Sequence, residues 1–261
     1  MKKSICIITL CVLLAVPATS HAVSGLFGAE GAIGWGQHAP IGNIAYKGES
    51  IDLENELGFD QESGLTARLK IEMPAVIPNI YLVYQPMEFE GTGSKSTSFQ
   101  FGDLTFGANA TLSSKLTINQ TDIALFYGIP GLKLATAGVL DAELGLNLRL
   151  MDLKAQTVNV SAGSETLDFL FPPPMLYLGI QVEPPFIPIA FETEARILPY
   201  GDNHIYSIIG RLKYNLPLPA PVLKIFVAAG YRYEDIVFKD IEDSDAEITF
   251  RGPFLEAGFK F

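Results

Sequence analysis

The sequence predicts an all-β chain folded as a closed antiparallel barrel that crosses a membrane. Three observations point there. Apolar and polar residues alternate with period two, short and long connections take turns along the chain, and the strand charges fall on one face.

The chain opens Met1-Lys2-Lys3, continues with an apolar run over 5–16, and reaches Pro17 and Ser20-His21-Ala22. A charged start, an apolar stretch and a small-residue site make a secretory signal, expected to be cleaved after Ala22, leaving residues 23–261 as the barrel. About a dozen apolar residues fall short of the roughly 20 that a spanning helix needs. Both cysteines, Cys6 and Cys11, lie in that signal, so the mature chain is expected to hold no disulfide and no thiolate ligand.

The mean hydropathy of the whole chain is positive, +0.26, yet past residue 22 charges interrupt every apolar segment before it reaches helix-spanning length. Alternation explains this. Leu65, Ala67, Leu69, Ile71 and Met73 alternate with Thr66, Arg68, Lys70 and Glu72; Leu140 to Leu150 alternate with Asp141, Glu143, Asn147 and Arg149. With turn signals between them, ten strands are expected near 25–36, 64–73, 79–89, 116–128, 139–152, 174–183, 187–198, 204–216, 222–237 and 246–261. Eight or twelve remain open counts, because Phe99, Phe101, Leu104 and Phe106 are spaced for an additional strand pair or an extended hairpin.

Proline marks the short connections: Pro74 and Pro78, Pro130, Pro184, Pro185 and Pro188, Pro217, Pro219 and Pro221. The other connections, near 37–63, 90–115, 153–173, 199–203 and 238–245, are polar and mostly long. An even strand number puts both termini and the short turns on one side, the layout of bacterial outer-membrane barrels with periplasmic turns and long outer loops.

A soluble barrel also alternates, so charge placement decides. Nine basic residues (Arg68, Lys70, Arg149, Arg196, Arg211, Lys213, Lys224, Arg232, Lys260) and nine acidic ones (Glu30, Glu72, Asp122, Asp141, Glu143, Glu192, Glu194, Glu234, Glu256) share one strand face. The other face is Leu, Ile, Val, Ala, Phe and Tyr, as lipid requires. Trp35, Tyr81, Tyr127, Tyr200, Tyr206, Tyr214, Tyr233 and Phe259 fall near strand ends and are expected in an interfacial girdle. Lipid-facing Leu146→Arg should be costly and inward Asn147→Arg mild.

The end of the chain, Gly258-Phe259-Lys260-Phe261, resembles the terminal signature that the barrel-assembly machinery reads in outer-membrane barrels. The segment Ile51-Asp52-Leu53-Glu54-Asn55-Glu56-Leu57-Gly58-Phe59, together with Gly252-Pro253-Phe254, resembles a family of small Gram-negative outer-membrane β-barrel proteins of largely unassigned function. That resemblance implies an outer-membrane location and a barrel fold, and it supplies no catalytic residues; lipid and lipopolysaccharide are the partners expected of such a barrel.

The residues offer little chemistry. Beyond the signal the histidines are His38 and His204. His204 and Ser207, three apart on a strand, point to opposite faces. Glu192 and Glu194 share the inward face with Arg196, Arg211 and Lys213 and are expected to neutralise them. No zinc, calcium or phosphate motif occurs, no cofactor is implied, and an acidic surface disfavours nucleic acid. Removing Lys2 and Lys3 from the 18 basic residues leaves 16 against 29 acidic ones. Much of that excess lies in Glu49, Asp52, Glu54, Glu56, Asp60 and Glu62 and in Asp240, Glu242, Asp243 and Asp245, where the expectation is either a solvated loop surface or weak divalent-cation binding without a defined cage.

The functional expectation is a barrel with a largely filled, charge-balanced lumen, at best a narrow conduit for small solutes, or else an envelope-structural barrel that meets lipopolysaccharide and partners, with an outer-membrane hydrolase the least favoured reading. Its lumen-lining network is expected to comprise Arg68, Lys70, Glu72, Glu143, Arg149, Glu192, Glu194, Arg196, Arg211, Lys213, Lys224, Arg232, Glu234 and Glu256.

Overall fold

The computed structural model describes residues 28–74, 76–159, 162–218, 223–241 and 243–261. The expected signal over 1–22 lies outside them.

Among the described residues there are fourteen strands: β1 (Gly28–Tyr46), β2 (Ile51–Asp52), β3 (Glu62–Glu72), β4 (Asn79–Gly93), β5 (Phe99–Phe101), β6 (Leu104–Phe106), β7 (Leu112–Gly128), β8 (Leu140–Asn159), β9 (Gly163–Phe171), β10 (Pro174–Val182), β11 (Ile189–Tyr200), β12 (Asn203–Asn215), β13 (Lys224–Ile241) and β14 (Ser244–Lys260). One helical turn, α1 (Leu132–Ala135), sits in the connection after β7. Ten of the strands close a barrel in the order β1-β3-β4-β7-β8-β10-β11-β12-β13-β14, with β14 returning to β1. All neighbouring pairs are antiparallel. Beyond the last strand, Ala29 and Phe261 exchange backbone hydrogen bonds of 3.1 and 2.9 Å. Closure pairs the wall's backbone polar groups, which lipid cannot satisfy.

The register matches the alternation. Leu146 is 71% exposed while Asn147 is 1% exposed. Exposed Ile33, Leu65, Leu125, Leu144, Ile208, Leu212 and Leu255 lie on the outer wall. Trp35, Tyr127, Tyr200, Tyr206, Tyr214 and Tyr233 also face outward. An apolar outer wall over a polar lumen is the arrangement of a membrane-spanning barrel. Tyr81 departs from the expected girdle: it is buried on the inward face of β4, in step with Val83, and donates from its hydroxyl to Glu194.

Several staves are longer than sequence alternation suggests. β8 runs through Asn159, and the polar stretch 153–173, expected as an outer loop, continues the sheet as the β8–β9 hairpin. A bilayer needs about 9–11 residues of tilted strand, so β8, at 20 residues, stands well above it. Once outside lipid the outward face turns polar (Asp152, Lys154), and the polar residues imitate a loop signal. β9 and β10 are two segments of one stave, both paired to β8 and parted at Pro172-Pro173, which have no N–H for the ladder.

Proline also interrupts the wall elsewhere. β3 and β4 pair only from Ala67↔Tyr84 to Ile71↔Ile80. Farther out stands Pro86, whose carbonyl lies 3.0 Å from where a side chain on Gly64 would begin. Lacking an N–H, Pro86 ends the ladder.

The first outer loop folds inward. Gly42 takes φ 127, open to glycine, and its carbonyl accepts a 2.9 Å bond from the Leu53 amide. The Asp52 carboxylate caps the following turn, accepting from the amides of Glu54 (3.0 Å) and Asn55 (2.7 Å). Ile51, Leu53, Leu57 and Phe59 are thereby buried. Phe99, Phe101, Leu104 and Phe106 form the small β5–β6 hairpin, apart from the barrel sheet, so the barrel stays ten-stranded.

Candidate functional site in the barrel lumen

The lumen has three levels. At the mouth where the short turns lie, the inward charges are loosely held. Lys224 is 3.8 Å from Glu183, and Lys260 is 4.0 Å from both Glu72 and Glu30. Lys224 and Glu72 are about half exposed there, so the structure places these two expected network members at the rim, not inside the packed interior.

In the middle, seven cations (Arg68, Lys70, Arg149, Arg196, Arg211, Lys213, Arg232) and seven carboxylates (Glu30, Asp122, Glu143, Glu192, Glu194, Glu234, Glu256) are enclosed together, and all but Arg232 are paired among the described residues. Arg68 donates to Glu30 at 2.8 Å and to Glu256 at 3.0 Å. Lys213 joins Glu30 and Glu192. Arg211 grips Glu192 at 2.7 Å, pairs with Glu194, and reaches Glu256 at 3.5 Å. Through Glu194 this cluster joins a second one: Arg196 lies 3.3 Å from Glu194 and 3.5 Å from Asp122. Asp122 in turn takes a two-pronged grip from Arg149, at 2.8 and 3.0 Å, and Arg149 approaches Glu234 at 3.1 Å. Lys70 pairs with Glu143 at 2.8 Å.

Each buried charge needs such compensation, because unpaired charge in a poorly polarisable interior is costly. Uncharged groups complete it: Tyr81 donates to Glu194, Tyr177 to Glu143, Asn147 to Asp122 and Gln120 to Glu234. The Arg196 guanidinium lies 5.3 and 5.4 Å from the Tyr81 and Tyr177 rings. Tyr81, Tyr177 and Gln120 carry no charge to be counted in the sequence; their inward parity was the available signal. Arg232 is buried without an ion pair among the described residues. Between Arg68, Tyr81, Arg211, Arg232 and Glu256 a cavity of about 10 Å³ remains, room for about one water.

The outer level is apolar, which charge counting did not reveal. Ile44, Met87, Phe89, Leu116, Ile118, Met151, Leu153, Ile205, Phe238 and Phe250 pack with Ile51, Leu53, Leu57 and Phe59 of the first loop and the β5–β6 phenylalanines. Phe89 stacks on Phe250 at 5.8 Å, Phe99 on Phe106 at 5.2 Å, and Phe171 meets Phe238 edge-on at 4.9 Å. The outer mouth is therefore capped by a hydrophobic core.

His204 and Ser207 part as expected. Ser207 is buried inward, while His204 is half-buried and 2.8 Å from Asp235, which also accepts from Thr249 at 2.9 Å. Glu192 and Glu194 are both committed to Arg211. Among the described residues no group of three or more His, Cys, Asp or Glu is placed to hold a metal ion. In the acidic first loop, Asp52 is used as a turn cap, and Glu56 pairs with Lys95 at 3.3 Å and accepts from the Asp52 amide.

No family model and no curated protein matches the chain. Solved structures of similar shape include Ail, the attachment invasion locus protein of Yersinia pestis, at 12% identity over 89% of this chain and 99% of that one, with a TM-score of 0.37. The outer membrane protease OmpT from Escherichia coli is 10% identical over 92% and 99% of the two chains, with a TM-score of 0.36. Neisserial surface protein A is 13% identical over 90% and 95%, with a TM-score of 0.29. None of these likenesses assigns a role to this chain.

Proposed function

We propose that the chain is an integral outer-membrane barrel of a Gram-negative envelope whose lumen is closed to bulk solute flow, at best a narrow conduit for small solutes, and that it is not an enzyme. The observation behind this reading is the stacking of two seals, the ionic network across the middle and the apolar core across the outer mouth. Eight strands leave an interior just wide enough for side chains, and open aqueous channels come with about sixteen, so ten strands add little room. The deciding experiment is single-channel conductance of the refolded protein in a planar bilayer, expected to be near silent.

An envelope-structural or interaction role is the second reading, favoured by staves that rise beyond the lipid and carry charges such as Glu88, Glu90, Asp152 and Asp168 outward. Its partners are lipid and lipopolysaccharide, with weak divalent cations bridging the acidic loops. The barrel-assembly machinery is proposed to read β14 and Phe261, whose side chain is exposed. Export through the signal over 1–22 completes the proposal.

A further inference from the structure

We propose that the break between β3 and β4 is a lateral binding site, opening at the outer edge of the lipid belt, for an uncharged single-ring molecule that carries a hydroxyl.

Pairing of β3 with β4 stops at Ala67↔Tyr84. It is not resumed until Phe59, ahead of β3, bridges to Gly91. Between these points a cavity of about 230 Å³ opens in the wall. It is lined from the lumen side by His38, Met87 and Phe89 and from the outer side by Ser63, Pro86, Glu88, Thr117 and Asn119. Its level is fixed by the outward residues. Leu65 and Tyr84 below it are exposed apolar groups, whereas Glu88 and Glu90 above it are exposed charges paired with Lys115. A molecule partitioned to the membrane boundary meets this opening directly.

The chemistry is set by His38. It is 4% exposed, and neither ring nitrogen has a hydrogen-bond partner among the described residues. Buried polar groups are nearly always satisfied, so an orphaned imidazole lining a cavity points to a ligand. A neutral imidazole offers one donor and one acceptor, and a hydroxyl supplies the complementary pair. The apolar walls of Pro86, Met87 and Phe89 suit a ring. Glu62 and Glu88 at the rim repel anions, and no carboxylate among the described residues accepts a hydrogen bond from the His38 ring that would favour its cationic form. The volume is below the roughly 300–1,000 Å³ of sites for drug-sized ligands, which limits the occupant to about one ring.

Trp35, the single tryptophan, is exposed on the outer wall opposite Leu65, next to Gly64 of the opening, and reports occupancy by quenching. The test titrates 4-bromophenol into the refolded, detergent-solubilised full-length protein. We expect saturable quenching that unbrominated phenol reverses, and binding of bromobenzene about ten-fold weaker for want of the hydroxyl. His38→Gln, which keeps a donor and an acceptor, should stay within about three-fold of wild type, and His38→Leu should lose about ten-fold. Quenching that rises without saturation or that phenol does not reverse would show partition into detergent only, and bromobenzene binding as tightly as 4-bromophenol in the wild-type protein would show that no hydroxyl is recognised; either result overturns the proposal. Those wild-type arms decide the matter even where a His38 variant fails to fold.

Discussion

Arg149 and Asp122, directly opposite each other on β8 and β7, make a two-pronged ion pair of 2.8 and 3.0 Å that is almost wholly removed from solvent. Removing one partner strands the other charge. Arg149→Ala is expected to destabilise the barrel by about 3–5 kcal/mol, and the double variant Arg149→Met with Asp122→Leu to recover a large part of that loss. Urea titration followed by the gel shift between folded and boiled protein checks this. Additive losses in the double variant would show that the pair is not coupled.

Leu146 and Asn147 test the register. Leu146→Arg, into lipid, should cost about 2–4 kcal/mol. The adjacent inward position is no mild site for arginine, contrary to the sequence expectation, because Asn147 is packed beside Arg149 and holds Asp122 at 2.8 Å. Asn147→Ala is the cleaner change, expected to cost about 1–3 kcal/mol through the lost bond to a buried carboxylate. Intact insertion of Leu146→Arg at wild-type stability would mean that the faces are exchanged.

The outer cap makes a separate prediction. Phe89 and Phe250 stack across the lumen from β4 and β14, and each is fully buried. Phe250→Ala should cost about 3–5 kcal/mol, more than loss of a girdle aromatic such as Tyr200. It should also raise protease cleavage of the first outer loop, since Ile51, Leu53, Leu57 and Phe59 belong to the same core. A loop cut no faster than in wild type would separate the loop from the cap.

The barrel was legible because lipid imposes a strict rule. Leu65, Leu69, Leu144 and Leu146 must face out, and the charges between them must face in. That rule ends where the membrane ends. Above it, Asp152 and Lys154 on β8 are polar without leaving the sheet, so the outer strand halves resemble loops. The same shift hid the cap, since Ile51, Leu53, Phe99 and Phe101 stand in segments whose polar neighbours dominate the average. Arg211, Glu194 and their partners were visible as an inward set, but which carboxylate each cation grips depends on barrel closure and side-chain length. The break beside Pro86 lay beyond reach, because one proline in a strand does not say which ladder it ends.

The central claim is that the two seals close the lumen, and conductance of the refolded protein in a planar bilayer tests it most directly. Wild type should be near silent, and Arg211→Ala with Glu194→Ala should stay so while the phenylalanine cap persists. Steady current should appear only when that pair is combined with deletion of the β5–β6 hairpin. A wild-type current comparable to that of a sixteen-stranded porin would contradict the account.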